Sequence, residues 1–279
     1  ICRPSDPSTG FIGGEGLEGL LQAARDEGRL SGVLNGCFYD GLAGRRPGWQ
    51  RIVAMIQGQL RDWQIDVPAS EAHQLALERV AALPKRRPRH VITSIGRLVE
   101  QKATLLLLGD DTHNSAIERI ANRYGRDAAI IILGSGDAAF EHRMLEVAHR
   151  LPNLVFLRGY SEVLADPLYH AGDLFLMPSS FEPCGISQML AMRRGQPVVA
   201  HRVGGLGDTI DDNETGFLFD GATPDEQADA FVETTLRALD MRANDPLRWQ
   251  DLQKAAAEKR FDWASAARET INRLYTSYA

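Results

Sequence analysis

Cysteine, excess positive charge and long apolar runs are all scarce in this chain of 279 residues, and each shortage excludes something. The three cysteines, Cys2, Cys37 and Cys184, are widely separated, which argues against a disulfide framework or a zinc site and favours a reducing, cytoplasmic setting. No apolar stretch approaches the length of a membrane span, so no membrane partner is expected. The seven histidines are scattered, so no metal site is expected either.

The chain also has no net positive charge. Its formal net charge is −6, because 37 acidic residues outnumber 31 Lys and Arg residues. A nucleic-acid-binding protein needs a basic face to neutralise phosphates, so nucleic acid is not an expected partner. The one basic cluster, residues 85–90, is typical of a solvated linker before a buried strand.

Apolar runs alternate with helical patterns from residue 90 onward. The runs, which predict strands, are residues 91–95, 129–133, 154–157, 174–177, 197–200 and 216–219. Helices are predicted at 16–27, 51–63, 70–83, 115–124, 138–150, 161–171, 185–194, 206–211, 224–242, 246–259 and 263–278. Because the strands lack polar alternation, we predict an α/β fold with a doubly wound, parallel, Rossmann-like sheet and extra helices at both ends.

Glu182 is the first candidate for chemistry. It lies five residues after the end of a predicted strand, between Pro178 and Pro183, where a buried strand has no need of an acid. A carboxylate held rigidly at the edge of a sheet can bind sugar hydroxyls or stabilise developing positive charge. Glu182 could equally complement the dipole of the next helix, and both interpretations stay open.

The residues after Glu182 are predicted to begin a helix. Its first backbone N–H groups lack partners within the helix and favour an anion such as phosphate, although an ordinary helix start explains them too. The segment consists of Cys184, Gly185, Ile186 and Ser187. Cys184 fits a small packed side chain better than a nucleophile, because the motif has no histidine to activate it.

Two glycine pairs mark further turns. Gly204 and Gly205 follow a strand and allow close approach of a ligand, although such turns are common. Gly134 and Gly136 nearly fit a dinucleotide fingerprint, but they lie in the middle of the strand order, and no acidic residue ends the next strand. We interpret the second pair as a tight turn and expect no NAD site.

Two cations and an aromatic residue follow other strands. Arg97 and Lys102 come just after the first strand of the sheet, at the same edge as Glu182. Together they are suited to clamp a diphosphate, and surface solvation is the alternative for each. Tyr160 follows another strand at this edge, where its ring could stack on a base or pack at the rim.

Together these motifs resemble the bacterial glycogen synthase and starch synthase family, which are retaining glycosyltransferases of the two-domain GT-B type. The most specific segments are residues 178–188 and 204–209; supporting segments are 29–36, 96–102 and 159–160. The resemblance runs from about residue 16 to the end of the chain. It implies that the chain is the C-terminal half of such an enzyme, with one Rossmann-like domain of the two.

The resemblance also implies an activity and a set of roles. The enzyme would transfer glucose from ADP-glucose to the nonreducing end of an α-1,4-glucan, without a metal or other cofactor. Arg97 and Lys102 would hold the diphosphate and stabilise departing ADP, Glu182 would lie near the sugar, and Tyr160 would lie near adenine. Substrate contacts would come from Cys184, Gly185, Ile186, Ser187, Gly204 and Gly205.

The family's N-terminal domain is largely missing from this sequence, including its Lys-x-Gly-Gly-Leu loop. We therefore assign residues 1–36 to a remnant of the acceptor domain, 37–88 to a helical linker, 89–262 to the nucleotide-sugar domain and 263–279 to a closing helix. The chain begins at Ile1, and residues 1–14 show no periodicity. We expect a piece of a longer polypeptide that is inactive and poorly soluble alone.

Two other functions remain as alternatives. One is a retaining glycosyltransferase that uses a UDP or GDP sugar on a different acceptor. Leu190 argues against it, because a related class has a second Glu eight residues after the first to hold ribose. The other is an inactive nucleotide-sugar-binding fragment, which the presence of Glu182, Arg97 and Lys102 argues against.

Overall fold

Six parallel strands form the centre of this computed structural model, which describes residues 14, 16–39, 46–66, 70–102, 107–109 and 115–275. The strands are β1 (His90–Ile95), β2 (Ala128–Gly134), β3 (Leu154–Arg158), β4 (Leu174–Met177), β5 (Val198–His201) and β6 (Gly216–Phe219). Their order across the sheet is β3-β2-β1-β4-β5-β6, and every neighbouring pair is parallel. The predicted doubly wound parallel sheet is confirmed.

The helices of the described residues lie before, between and after the strands. They are α1 (Glu18–Asp26), α2 (Trp49–Asp66), α3 (Glu71–Ala82), α4 (Ala116–Tyr124), α5 (Ala138–Arg150), α6 (Glu162–Ala171), α7 (Ser187–Arg193), α8 (Gly204–Thr209), α9 (Pro224–Asn244), α10 (Pro246–Glu258) and α11 (Trp263–Leu274). Most bounds agree with prediction to within two residues. Predicted residues 276–278 of the last helix lie outside the described residues.

The two faces of the sheet are covered by different helices, as alternation along the strands requires. In β1, Val91 packs in a cluster with Ile56 of α2 and Val80 of α3. Its neighbour Ile92 packs on the opposite face, in a cluster with Ile117 of α4. Segment 37–88, predicted as a helical linker, thus contributes two helices to the core of the sheet.

The strand order creates a crevice at the centre of the sheet. From β1 the chain continues to β2 and β3 on one side, whereas β4 is followed by β5 and β6 on the other. The loops after β1 and β4 therefore leave in opposite directions at the carboxyl ends of the strands, a position where open α/β sheets bind ligands. We call this end of the sheet the carboxyl edge.

The first and last described helices are poorly covered. Neither α1 nor α11 contains a buried residue, and Leu20, Trp263, Ile271 and Tyr275 are between 43% and 73% exposed. Within the described ranges, no helix has both the length and the apolar character needed to cross a membrane.

Candidate functional site

The loops after β1 and β4 meet at the carboxyl edge and are joined by backbone contacts. The N–H groups of Ser180 and Phe181 both donate to the carbonyl oxygen of Gln101, at 3.0 and 3.4 Å. The side-chain amide of Gln101 donates back to the Phe181 carbonyl at 3.0 Å. These contacts bring the segment that carries the two cations next to the segment that carries Glu182.

Lys102 and Glu182 form a direct ion pair. The Nζ of Lys102 contacts Oε2 of Glu182, and the hydroxyl of Ser179 donates to the same oxygen at 3.4 Å. The side chain of Glu182 is only 9% exposed, whereas that of Lys102 is 24% exposed. A nearly buried carboxylate requires a charged partner, and an ammonium group with three donors can keep that partner and still reach a ligand.

Arg97 lies beside this pair and is exposed. No ion pair joins its guanidinium to another residue in the part of the chain that the structure describes. Arg97 lines two neighbouring cavities of about 440 and 90 Å³, which both also include Gly96 and Ser187. Its planar fork of donors is therefore placed between two spaces where a phosphate could be bound.

The larger cavity combines apolar and polar lining. Tyr160 lies at its rim and is 76% exposed, and its hydroxyl donates to Glu162 at 2.9 Å. This hydrogen bond raises the pKa of the Tyr160 hydroxyl above its ordinary value. Ser161 accepts the Leu164 N–H at 3.2 Å and so begins α6, which leaves Tyr160 in the short connection after β3.

The smaller cavity lies nearer the ion pair. Lys102 and Ser179 line it, together with Met177 and Pro178 at the end of β4. Glu182 lines neither cavity, because its carboxylate is turned into the contact with Lys102. The three predicted groups are therefore gathered at one edge, with the two cations facing open space and the acid behind one of them.

Helix α7 begins at Ser187, two residues later than predicted. Gly185 adopts a φ of +75°, which a residue with a side chain rarely adopts, and a Cβ there would lie 2.4 Å from Oε1 of Gln188. Burial raises the pKa of the Cys184 thiol, which supports its interpretation as a packed side chain rather than a nucleophile. Ile186, the residue before the helix, is 46% exposed and does not line either cavity.

Gly204 and Gly205 pack against the loop that carries Glu182. A Cβ at Gly204 would lie 2.3 Å from the Glu182 carbonyl oxygen, and one at Gly205 would lie 2.4 Å from Cα of Cys184. The Gly205 N–H also donates to the Glu182 carbonyl at 2.9 Å. The close approach that the sequence predicted is made to protein backbone, and contact of these glycines with substrate stays a prediction.

The glycines at the end of β2 and just after it have the same kind of role. A Cβ at Gly134 would lie 2.1 Å from the Gly96 carbonyl oxygen, and one at Gly136 would lie 2.2 Å from the Leu98 carbonyl oxygen. The Leu98 N–H donates to the Ser135 carbonyl at 3.0 Å. This turn supports the loop that carries Arg97, which gives a structural reason for its resemblance to a dinucleotide fingerprint.

Gln188 is a positioning residue that the sequence interpretation did not single out. It is fully buried, and its amide donates to the carbonyls of Cys184 and Gly185 at 2.9 and 3.2 Å and contacts the Thr209 hydroxyl at 3.3 Å. The position four residues after Cys184 and one turn into the helix was the available signal. Gln188 joins α8 to the loop before α7.

Leu190 and Asp166 also line the larger cavity. Asp166 is paired with Arg194 at 2.5 Å, which leaves the Leu190 wall of the cavity apolar. Across the ranges that the structure describes, no three His, Cys, Asp or Glu side chains are grouped so that they could hold a metal ion.

Comparison with known proteins places these features in a family. A family model described as "Glycosyl transferases group 1" matches residues 89–239. The glycogen synthase of Hydrogenovibrio crunogenus is 34% identical over 270 residues, which is 92% of this chain and 51% of that protein. The glycogen synthase of Thioalkalivibrio sulfidiphilus is 35% identical over 272 residues, 94% of this chain and 50% of that protein.

A solved structure shows the same fold. The catalytic domain of starch synthase IV from Arabidopsis thaliana, bound to ADP and acarbose, superimposes with a TM-score of 0.64 at 24% identity. The superposition covers 98% of this chain and 54% of that one. The chain thus spans about half the length of the curated relatives it matches.

Proposed function

The chain belongs to the group 1 glycosyl transferases, and we propose that it is the donor-binding half of an enzyme that makes α-1,4-glucan. The enzyme transfers glucose from ADP-glucose to the nonreducing end of the glucan with retention at the anomeric carbon. The similarity to glycogen synthases over more than nine tenths of the chain supports this choice of donor and acceptor. The proposed setting is the cytoplasm, in keeping with the free thiols of Cys37 and Cys184.

One observation carries the proposal. At the switch point of the sheet, Arg97 lines both adjoining cavities, Lys102 lines the smaller one and Tyr160 lies at the rim of the larger one. These groups suit a sugar nucleotide: an aromatic ring can stack on the base, and cations can bind the two phosphates. We propose that adenosine occupies the larger cavity and that the diphosphate passes Arg97 towards Lys102.

The cations then promote departure of ADP. When the bond between glucose and the diphosphate breaks, negative charge builds up on the phosphate oxygens. Arg97 and Lys102 are already placed by the loop contacts to stabilise that charge, and no reorganisation is needed at that moment. Ser187, which lines both cavities, adds a hydroxyl donor to the same phosphates.

Glu182 is proposed to position Lys102 and to contact the donor sugar. Its carboxylate holds the ammonium group of Lys102 in place, and we propose that it lies near the donor sugar. While Lys102 stays paired with it, the carboxylate can also accept a hydrogen bond from a sugar hydroxyl or stabilise positive charge at the anomeric carbon.

Leu190 favours the glycogen synthase group over the related class that has a second carboxylate at this position. It lies on the wall of the larger cavity, eight residues after Glu182, and supplies apolar surface where the related class would have an acid for ribose.

The remaining half of the enzyme supplies the acceptor site. The chain spans about half of its relatives, and α1 and α11 present apolar side chains to solvent. We propose that the N-terminal domain covers these helices and completes the cleft. The family's acceptor, an α-1,4-glucan, would enter from that side.

Nucleotide titration and an elongation assay test the proposal. Isothermal titration of the isolated chain should give tighter binding of ADP than of UDP or GDP, and the chain alone should transfer almost no glucose to a glucan. Joining the N-terminal half of a glycogen synthase should restore transfer from ADP-glucose. Equal binding of all three nucleotides, or efficient elongation by the isolated chain, would contradict the proposal.

A further inference from the structure

A second charged cavity lies at the opposite end of the sheet from the candidate site. It is formed where β1 and β4 begin, and its volume is about 350 Å³, within the range of small-molecule pockets. We call it the arginine cavity and define it by Arg46, Gly48, Trp49, Arg87, Asp173 and Arg242. None of these residues lines either cavity at the carboxyl edge.

Three guanidinium groups surround a single carboxylate there. Oδ1 of Asp173 lies 2.7 Å from Arg87, 3.0 Å from Arg242 and 3.7 Å from Arg46. The side chain of Asp173 is 3% exposed, and its Oδ2 accepts the Val91 N–H at 2.8 Å. Asp173 therefore has two close cations before Arg46 is counted.

Arg46 adds positive charge beyond what is needed to neutralise Asp173. It is the most distant of the three arginines and also the most exposed, at 47% against 29% for Arg87 and 21% for Arg242. Its Nη2 is held by the carbonyl of Ala171 at 2.8 Å, which orients the group without neutralising it. With three positive charges and one negative charge, the residues that define the cavity carry a net charge of +2.

The burial and the positive charge of this cluster change the pKa values of its arginines. Burial and the nearby Arg87 both lower the pKa of Arg46, and burial lowers the pKa of Arg242. Helix α2 begins at Trp49 on the wall of the cavity, and its first turn has no acidic side chain. The positive end of the helix dipole therefore adds to the field of the arginines.

We propose that the arginine cavity binds a compact dianion, a phosphate group of a small phosphomonoester or free phosphate. A dianion matches the net charge of +2, and planar guanidinium forks match phosphate oxygens. Arg46 supplies the donors, while Arg87 and Arg242 stay on Asp173 and add their positive charge. The network thus has a role beyond neutralising one buried acid, and it is separate from the proposed nucleotide site.

The test follows the indole N–H of Trp49 by NMR. Trp49 lines the cavity and its Nε1 donates to the Pro84 carbonyl at 2.9 Å, so an anion there should shift this signal. Inorganic phosphate and glycerol phosphate are titrated at constant ionic strength into the chain and into Arg97→Gln, which should weaken phosphate binding at the other edge. A saturable Trp49 shift is expected in both proteins, and the tighter ligand identifies the source of the phosphate.

Arg46→Gln and Arg86→Gln give the matched comparison. Loss of one charged contact in Arg46→Gln should weaken phosphate binding about tenfold. Arg86 is exposed and does not line the cavity, so Arg86→Gln should leave the affinity unchanged. Absence of a saturable shift with either ligand, or equal losses in the two variants, would overturn the proposal.

A stability measurement keeps the proposal testable if Arg46→Gln fails to fold. At matched ionic strength and in the Arg97→Gln background, phosphate should raise the melting temperature more than chloride does, because a ligand that binds the folded state stabilises it. Arg46→Lys, which keeps the charge but loses the fork, should show a smaller rise. Equal effects of phosphate and chloride in the Arg97→Gln background would show that the cluster only neutralises Asp173.

Discussion

At the scale of single residues, the ion pair of Lys102 and Glu182 is the feature on which the site depends. A nearly buried carboxylate left without its cation is costly, so Lys102→Gln should lower the free energy of unfolding by about 2 kcal/mol. Glu182→Gln leaves Lys102 unpaired, and because Lys102 is more exposed, this variant should lower the free energy of unfolding by less. Urea denaturation of both variants measures the difference.

The double variant separates stability from binding. Lys102→Gln combined with Glu182→Gln removes both charges and should recover most of the stability lost in Lys102→Gln. ADP affinity should stay low in the double variant, because the cation that faces the smaller cavity is still missing. Recovery of ADP binding together with stability would show that Lys102 serves the fold alone.

His90 predicts a pH dependence at the start of β1. Burial, followed by the charge of Arg242, lowers the pKa of His90 to about 4, below its ordinary value of 6.5. Between pH 4 and pH 6.5, His90 is therefore protonated in the unfolded chain and largely neutral in the folded chain. The contribution of His90 to stability is complete above pH 6.5 and is lost as the pH falls towards 4.

Urea denaturation across this pH window tests the effect. The chain should lose stability more steeply between pH 6.5 and 4 than His90→Gln, which carries no titrating ring. Parallel profiles would contradict the lowered pKa. Carboxylates titrate in both proteins, so the comparison isolates the histidine.

At the scale of elements, helix α8 holds the Glu182 loop through two glycines that have no room for a side chain. Gly205→Ala would place a methyl group 2.4 Å from the backbone of Cys184, so the loop must shift. We expect a loss of about 1–3 kcal/mol in stability and weaker ADP binding. Calorimetry measures both quantities.

Gly207→Ala is the matched control in the same helix. A Cβ at Gly207 would meet its nearest atom, Cγ of Arg202, at 3.6 Å, an ordinary contact. The same change of residue should therefore have little effect on stability or on binding. Equal losses in the two variants would contradict the packing argument, and helix propensity could not explain them because it favours alanine over glycine.

Helix α11 predicts how the isolated chain behaves in solution. Its exposed apolar side chains form a face that a partner domain would cover, so the chain should self-associate through it. Ile271→Ser should reduce self-association in sedimentation experiments without lowering the melting temperature. Leu247→Ser, which alters a residue that is 74% exposed on α10, should not change it.

The elements themselves could be predicted from the sequence with few errors. Buried parallel strands are continuous apolar runs, so β4 and β6 were predicted with their observed bounds, as was α5. The start of α7 was predicted two residues early because Gly185 lies in a left-handed turn stabilised by Gln188, a tertiary contact that periodicity does not reveal.

At the scale of the whole molecule, strand order decides what the sequence could predict about the site. Arg97, Lys102 and Glu182 were expected at one edge because each follows a strand, and β1 and β4 prove to be neighbours. The burial of Glu182 behind Lys102 could not be predicted, since it depends on how the two loops contact each other. The roles of these residues in binding and catalysis stay predictions.

The arginine cavity shows the same limit more strongly. Arg46, Arg87, Asp173 and Arg242 come from four distant parts of the chain, and only the fold brings them together. The basic run 85–90 was interpreted as a solvated linker, yet Arg87 is drawn onto a buried acid. Arg87 and Asp173 are 86 positions apart in the chain, so local composition could not reveal that they pair.

The central claim is that the carboxyl edge grips a nucleotide diphosphate through Arg97, and equilibrium binding of ADP tests it most directly. ADP should bind the chain, and Arg97→Gln should weaken binding about tenfold, the loss of one charged contact. Arg158→Gln removes an arginine paired with Glu141 that lines neither of the two cavities at this edge, and it should bind ADP as the unaltered chain does. Undiminished ADP binding by Arg97→Gln, or equal losses in both variants, would contradict the claim.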